Sequence, residues 1–282
     1  MDLDLRDVHV LVTGAAGGIG LATVTEFLGH SALVSAHYRS TKAALEEDTT
    51  CAKAAKESRL ACVQADVTRE EDVVRMFAEA EEKIGKPVSV LVVNHAVYNS
   101  KPAPLHKMSL SQWNETLTTN LTGSFLVIRQ FLARLAKIKE EQGVDNDWMR
   151  NVAVVLIGST GKSPIPGEFG EACHADYAAS KSALTHGLQL SLKNEIVQLH
   201  PRARVNTVAP GWVRTKMAEE SMKDERIKYQ ALATTPLNKI AEPEEVARQV
   251  ALLASNRVSG HTSGQVVMIH GGMEGRLLNP KP

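Results

Sequence analysis

The sequence is poor in aromatic residues: of 282 positions, three are Trp, four Tyr and five Phe. That leaves little material for a pocket built on stacking. Cysteine is scarcer still. Cys51, Cys62 and Cys173 form no CxxC pair and leave an odd count, which excludes a disulfide scaffold and suits a reducing compartment. Neither sign of charge is in excess, since 32 Lys and Arg balance 32 Asp and Glu. Nucleic-acid binding needs clustered positive charge, so no nucleic-acid partner is expected. No run approaches the roughly 18 apolar residues that cross a bilayer, so no membrane span is expected. The apolar run at Val8–Thr13 has no charged leader and passes straight into glycines, unlike a secretory signal. Pro280-Lys281-Pro282 is not a peroxisomal address. These readings point to a cytoplasmic protein.

What is present is ordinary for a globular chain, with 43% apolar and 23% charged residues. The length suits one large α/β domain with a substantial core. Short apolar runs at His9–Thr13, Ala32–His37, Ala61–Ala65, Val88–Val93, Val152–Ile157, Arg204–Val208 and Gln265–Ile269 read as strands. Val152–Ile157 is nearly all β-branched or leucine, as suits a strand covered on both faces. Helical patterns separate them: Ile19–Leu28, Lys42–Lys56, a segment through Glu82, Thr122–Lys139, Asp176–Leu199 and Glu244–Ser255. Thr68 with Glu71, and Ser109 with Gln112, have capping-box spacing, and Pro243 suits a first helical position. This alternation predicts an α/β protein: a single-domain Rossmann fold over 1–282, with a doubly wound seven-stranded parallel sheet. No repeat or low-complexity linker interrupts it. Residues 140–150 read as a polar exposed loop. Residues 212–235, longer than an ordinary connection, read as a substrate lid with its own short helices.

Thr13-Gly-Ala-Ala-Gly-Gly-Ile-Gly20 follows the first strand and opens the first helix. Glycines permit the tight turn and close backbone approach, and the helix N-terminus offers free N–H groups to a pyrophosphate. Thr13, Gly14, Gly18, Ile19 and Gly20 are therefore candidate cofactor contacts. A carboxylate ending the second strand would accept the ribose hydroxyls of NAD. The strand instead ends Tyr38-Arg39-Ser40, with no acid until Glu46. Arg39 can meet a 2′-phosphate through a forked, charge-assisted contact, with Ser40 or Thr41 adding donors. NADP(H) is favoured, with NAD(H) the alternative.

In this order of motifs the sequence resembles the short-chain dehydrogenase/reductase family from end to end, including its 3-oxoacyl-carrier-protein reductases and carbonyl reductases. Thr13–Gly20 matches that family's Thr-Gly-x-x-x-Gly-x-Gly. Asp66-Val67 is similar to its adenine-contacting pair, and Asn120 to its helix-four asparagine. Ser159 follows the fifth strand, and Tyr177-Ala-Ala-Ser-Lys181 is the Tyr-x-x-x-Lys signature. Pro210, Gly211, Val213 and Thr215 resemble the segment that holds the nicotinamide carboxamide and phosphates. Asn94 and Ala96 fall on the cofactor-side turn after strand four. That turn departs from the family's Asn-Asn-Ala-Gly, reading Asn94-His-Ala-Val97 before Tyr98, and His270-Gly-Gly272 replaces Asp-Gly-Gly. Ser159 and Tyr177 lie eighteen residues apart, longer than in most relatives, with the added residues expected within Pro164–Asp176. Thr160 and Ser163 are neighbouring alternatives to Ser159, which is favoured because it leaves the strand directly after Gly158.

Tyr177 and Lys181 are four apart and share one helix face. A free phenol titrates near 10, so the Lys181 ammonium and a positive nicotinamide would both favour its phenolate. In reduction Tyr177 would give a proton to the carbonyl oxygen while Ser159 stabilises the charge developing there. By resemblance, Lys181 also grips the nicotinamide ribose, and Asn120 holds a water that relays protons. The expected activity is NADPH-dependent reduction of a ketone to a secondary alcohol. The alternatives are an NAD-dependent alcohol dehydrogenase, a lyase or cyclase, and a cofactor-binding protein without redox chemistry. No His-x-x-x-His or carboxylate-flanked set suggests a metal. His95 and His174 are read as structural or as lining the site mouth, Cys173 as a small filler, and Met217 and Met222 as lid residues. The family implies a homotetramer or homodimer formed through the two long helices. The stripe of Leu184, Leu188, Leu192 and Ile196 fits that or burial in the monomer.

Overall fold

The computed structural model describes residues 1–99, 103–144, 149–160 and 172–273. Seven strands form one parallel sheet: β1 (His9–Val12), β2 (Leu33–Tyr38), β3 (Leu60–Gln64), β4 (Val90–Val93), β5 (Ala153–Ile157), β6 (Arg204–Pro210) and β7 (Val266–Ile269). Their order is β3-β2-β1-β4-β5-β6-β7, so the chain reverses its winding between β1 and β4. Val12 pairs with Ala36 on one side and Val92 on the other. The carboxyl ends of β1 and β4 therefore open the crevice where ligands bind in such sheets.

Helices cover both faces. α1 (Gly18–Gly29), α2 (Ala43–Glu47), α3 (Thr49–Lys56) and α11 (Pro243–Ala254) pack around a core that includes Val10, Phe27, Val34 and Val250. On the other face, α4 (Glu70–Ile84), α6 (Gly123–Gln142) and α8 (Gln189–Leu199) enclose Leu11, Phe77, Phe131 and Ile196. Every residue of β1, β4, β5 and β6 is buried, and β4 and β5 accordingly read as uninterrupted apolar runs. Each fully buried Leu or Phe contributes roughly 2 kcal/mol. Among the described residues no helix is long and apolar enough to cross a membrane.

Several local expectations change. The Lys42–Lys56 pattern divides at Asp48, whose side chain accepts from the Cys51 amide at 2.9 Å and starts α3 afresh. The Thr68–Glu71 capping box does not form. The Thr68 hydroxyl donates to Asp66 at 2.7 Å, and α4 begins at Glu70 after Arg69, without a side-chain cap. Residues 140–150 are not wholly loop: α6 runs to Gln142, and Met149 is buried in the core. α11 is capped by a bond the spacing analysis missed, the Glu242 amide donating to the Glu245 carboxylate at 2.9 Å. Residues 212–235 do carry two helices, α9 (Lys216–Lys223) and α10 (Glu225–Ala233). Leu184, Leu192 and Ile196 are buried within the monomer, Leu192 and Ile196 in its core with Leu188 packed against it.

Arg204 at the start of β6 is a buried cation facing carbonyls. Its guanidinium donates to Leu253 O at 2.6 Å and Ala254 O at 3.0 Å. Both carbonyls end α11, where the helix dipole is negative. Burial lowers the Arg204 pKa to about 10.

Candidate active site

The first βα turn is held from three directions. Gly14 adopts φ +63°, and a side chain there would press within 2.9 Å of the His95 backbone. Its amide donates to His37 Nδ1 at 3.1 Å, and His37 Nε2 lies 3.1 Å from Ala65 O. His37 is thus neutral, with its proton on Nε2, and burial lowers its pKa. From β4, Asn94 Nδ2 donates to Thr13 O at 3.0 Å and Gly14 O at 2.9 Å, while its amide donates to Thr13 Oγ1. His95 sets Nδ1 2.8 Å from the same hydroxyl, and burial drives its pKa down to about 3.

These contacts shape a cleft of about 530 Å³ along the carboxyl ends of the strands. No side chain caps α1 at Gly17, where an added Cβ would meet nothing. The first helical amides therefore face open space beside Gly17, Gly18 and Ile19, a cradle suited to a pyrophosphate. Arg39, Ser40 and Thr41 line the end beyond it. Arg39 forms no ion pair among the described residues, so its fork is available to an anion. The donor set fits NADP(H).

Not every candidate lines the cleft. Ile19, Gly18, Val67, Ala96, Pro210, Gly211, Val213 and Thr215 do, with Gly14, Arg39, Ser40 and Asn94. Thr13, Gly20, Tyr38, Asp66 and Asn120 stand behind its wall. Thr13 is buried as the acceptor for the Asn94 amide, and Gly20 packs where a Cβ would come within 2.2 Å of Gly14 O. Asp66 is engaged by the hydroxyl and amide of Thr68, which hold its carboxyl below the usual range, with the charge of Arg39 adding to the effect. His37, next to Tyr38 and Arg39, also lines the cleft, as do Trp212 and Ser221 from the segment read as a lid.

Ser159, Tyr177 and Lys181 share the far wall with Val97 and Tyr98. Ser159 leaves β5 directly. Gly158 before it lies so close to β6 that a Cβ would meet Thr207 at 2.7 Å. Thr160 is turned away, its hydroxyl donating to Pro210 O at 3.2 Å; Ser163 and most of Pro164–Asp176 fall outside the described residues. α7 (Ala175–Ser182) presents Tyr177 and Lys181 on one side. The Lys181 ammonium donates to Ile157 O at 2.7 Å and lies 5.8 Å from the Tyr177 ring centroid. Burial lowers its pKa to about 8.

Two polar brackets aim this wall. Asn120 occupies a π-type turn (Thr118–Thr122) between α5 (Leu110–Leu117) and α6. Its carboxamide accepts from Val97 N at 2.8 Å and donates to Val97 O at 3.0 Å and Ser180 Oγ at 3.1 Å. It thereby ties the turn after β4 to α7. Asp176, beside Tyr177, accepts from Thr116 at 2.8 Å and Gln112 at 3.2 Å, binding α7 to α5. Ser109 caps α5 as expected, but Gln112 spends its side chain on this long-range bond and not on a capping box.

A phosphate-binding turn at the switch point of a doubly wound sheet, facing a Ser-Tyr-Lys wall, defines a nucleotide-dependent oxidoreductase site. The profile of the enoyl-(acyl carrier protein) reductase family matches residues 14–274. An acetoacetyl-CoA reductase from Allochromatium vinosum is 29% identical over 93% of this chain and 97% of its own length. The 3-oxoacyl-[acyl-carrier-protein] reductase MabA of Mycobacterium avium is 33% identical over 94% and 89%. The crystal structure of a short-chain dehydrogenase/reductase from Brucella melitensis, titled glucose/ribitol dehydrogenase, superposes with a TM-score of 0.80 at 25% identity. It covers 96% of this chain and 98% of its own. The protein belongs to the short-chain dehydrogenase/reductase family and is an NAD(P)-dependent oxidoreductase.

Proposed function

We propose that the protein reduces the ketone of a 3-oxoacyl thioester to the secondary alcohol with NADPH. The observation that carries this reading is the single cleft joining the uncapped α1 turn and Arg39 to Ser159, Tyr177 and Lys181. The names of the two reductase relatives supply the thioester class. When bound, the cofactor supplies the hydride. Gly17, Gly18 and Ile19 hold its pyrophosphate, and Arg39 and Ser40 its 2′-phosphate. Thr215 and the Pro210-Gly211 turn hold the nicotinamide end. The Tyr177 hydroxyl gives its proton to the substrate oxygen, and Ser159 donates a hydrogen bond to that oxygen as its negative charge grows. Lys181 lies close enough to stabilise the phenolate left behind. Asn120 holds the wall in place and borders the route by which Tyr177 regains its proton.

The cofactor assignment is tested by equilibrium binding of NADPH and NADH to the wild-type protein and Arg39→Ala. A charge-assisted fork contributes about 2 kcal/mol, so Arg39→Ala is expected to weaken NADPH about 30-fold and leave NADH nearly unchanged. Tighter binding of NADH by the wild type would reverse the assignment.

We also infer a homotetramer or homodimer in the cytoplasm. Phe125 on α6, with Leu190 and Val197 on α8, stays well exposed on the outer helix faces, which supports pairing through those helices. Sedimentation velocity is expected to show dimers or tetramers, and a monomer at micromolar concentration would contradict this.

A further inference from the structure

Tyr98 follows the turn after β4 and stands against the reacting wall. Its ring meets Tyr177 edge-on, with centroids 5.1 Å apart and planes at 87°. It also stacks on His174, with centroids 4.5 Å apart and planes at 22°. The Tyr98 hydroxyl lies 2.9 Å from His174 Nε2. His174 is buried, and its Nδ1 has no hydrogen-bond partner among the described residues. A buried orphan acceptor is tolerated better than a buried orphan N–H, so the proton sits on Nε2 and His174 donates to the Tyr98 oxygen. The backbone beneath is tied down as well, with Ala103 N donating to Cys173 O at 3.0 Å. Tyr98 is thus a fixed wall, committed to His174 and to Tyr177, and is not an open stacking platform.

A ketone oxygen that reaches Tyr177 and Ser159 places its carbon, and one of that carbon's two substituents, beside this ring. Trp212 and Met217 line the same cleft. We propose that Tyr98, with His174 as its positioning residue, sets acyl-chain length, restricting the protein to short 3-oxoacyl thioesters with only a few carbons beyond the reacting carbonyl. The proposal rests on the thioester-reductase reading above and narrows it to one size class.

The test is NADPH consumption with a chain-length series of 3-oxoacyl N-acetylcysteamine thioesters, from four to ten carbons. NADPH binding is measured alongside. In the wild type, kcat/KM is expected to fall as the chain lengthens. In Tyr98→Ala the eight-carbon to four-carbon ratio of kcat/KM is expected to rise about tenfold or more, mainly through KM. Tyr98→Leu, which keeps apolar bulk, is expected to move the same ratio in the same direction and covers the case in which the alanine variant does not fold. A double variant, Tyr98→Phe with His174→Phe, replaces both polar partners by a stacked apolar pair and is expected to keep the wild-type ratio. A wild-type preference for long chains overturns the proposal, as does an equal loss at every length in Tyr98→Ala and Tyr98→Leu. If the wild type binds NADPH and reduces no member of the series, the thioester reading itself falls and takes the proposal with it.

Discussion

Tyr177→Phe is expected to lower kcat for ketone reduction about 10³-fold while leaving NADPH binding within about threefold of wild type. The substitution removes one hydroxyl and keeps the ring that packs edge-on against Tyr98. A positioned general acid contributes roughly 10²–10⁴-fold, and the neighbouring Tyr98 hydroxyl is engaged with His174 Nε2 at 2.9 Å. Stopped-flow or steady-state NADPH oxidation reads the turnover, and fluorescence titration reads the binding. Turnover retained within tenfold would show that Tyr177 is not the proton donor.

Folding stability is expected to fall by about 4 kcal/mol between pH 8 and pH 5. His9 is buried at the start of β1, with Nδ1 2.7 Å from Lys86 O and Nε2 2.9 Å from Ser35 Oγ. Burial lowers its pKa to about 4 and that of His95 to about 3. Both return to about 6.5 in the unfolded chain. Between these values the unfolded state binds more protons, so stability is full above pH 6.5 and drains as the pH falls toward 4. At pH 5 each histidine accounts for about 2 kcal/mol of the loss. His37 adds in the same direction, since protonating Nδ1 would break its bond from the Gly14 amide. Carboxylates held low, such as Asp66, begin to add only below about pH 4. Urea unfolding at the two pH values measures the change, and His9→Gln should shrink it by about 2 kcal/mol. Superimposable curves at pH 8 and pH 5 would mean that these histidines are protonated, or hydrated, in the folded protein.

The strands were legible because a strand covered on both faces leaves a mark that needs no partner to be read. Val152–Ile157 is apolar at every position and becomes β5 and its flank. The glycine turn was legible for a related reason. Gly14 and Gly18 take positive φ, a property of single residues, and Tyr177 and Lys181 share a side by helical period alone. Such features depend on bonds and periods within a few residues.

Polar side chains were different, because each has several acceptors within reach in the chain and more across the fold. Thr68 was spaced to cap α4 and instead serves Asp66. Gln112 was spaced for a capping box and instead reaches Asp176, 64 positions away. Asn120 turns its carboxamide to Val97 and Ser180, and Tyr98 meets His174 across 76 positions. Local period and residue type thus specified the parallel sheet, its order of elements and the place of the cofactor turn. Which hydroxyl, amide or imidazole faces the cleft, and which stands behind it as a brace, followed from folding. A polar group pairs with a strong partner that the packed chain brings within about 3 Å, and for Gln112, Asn120 and Tyr98 that partner lies far away in sequence.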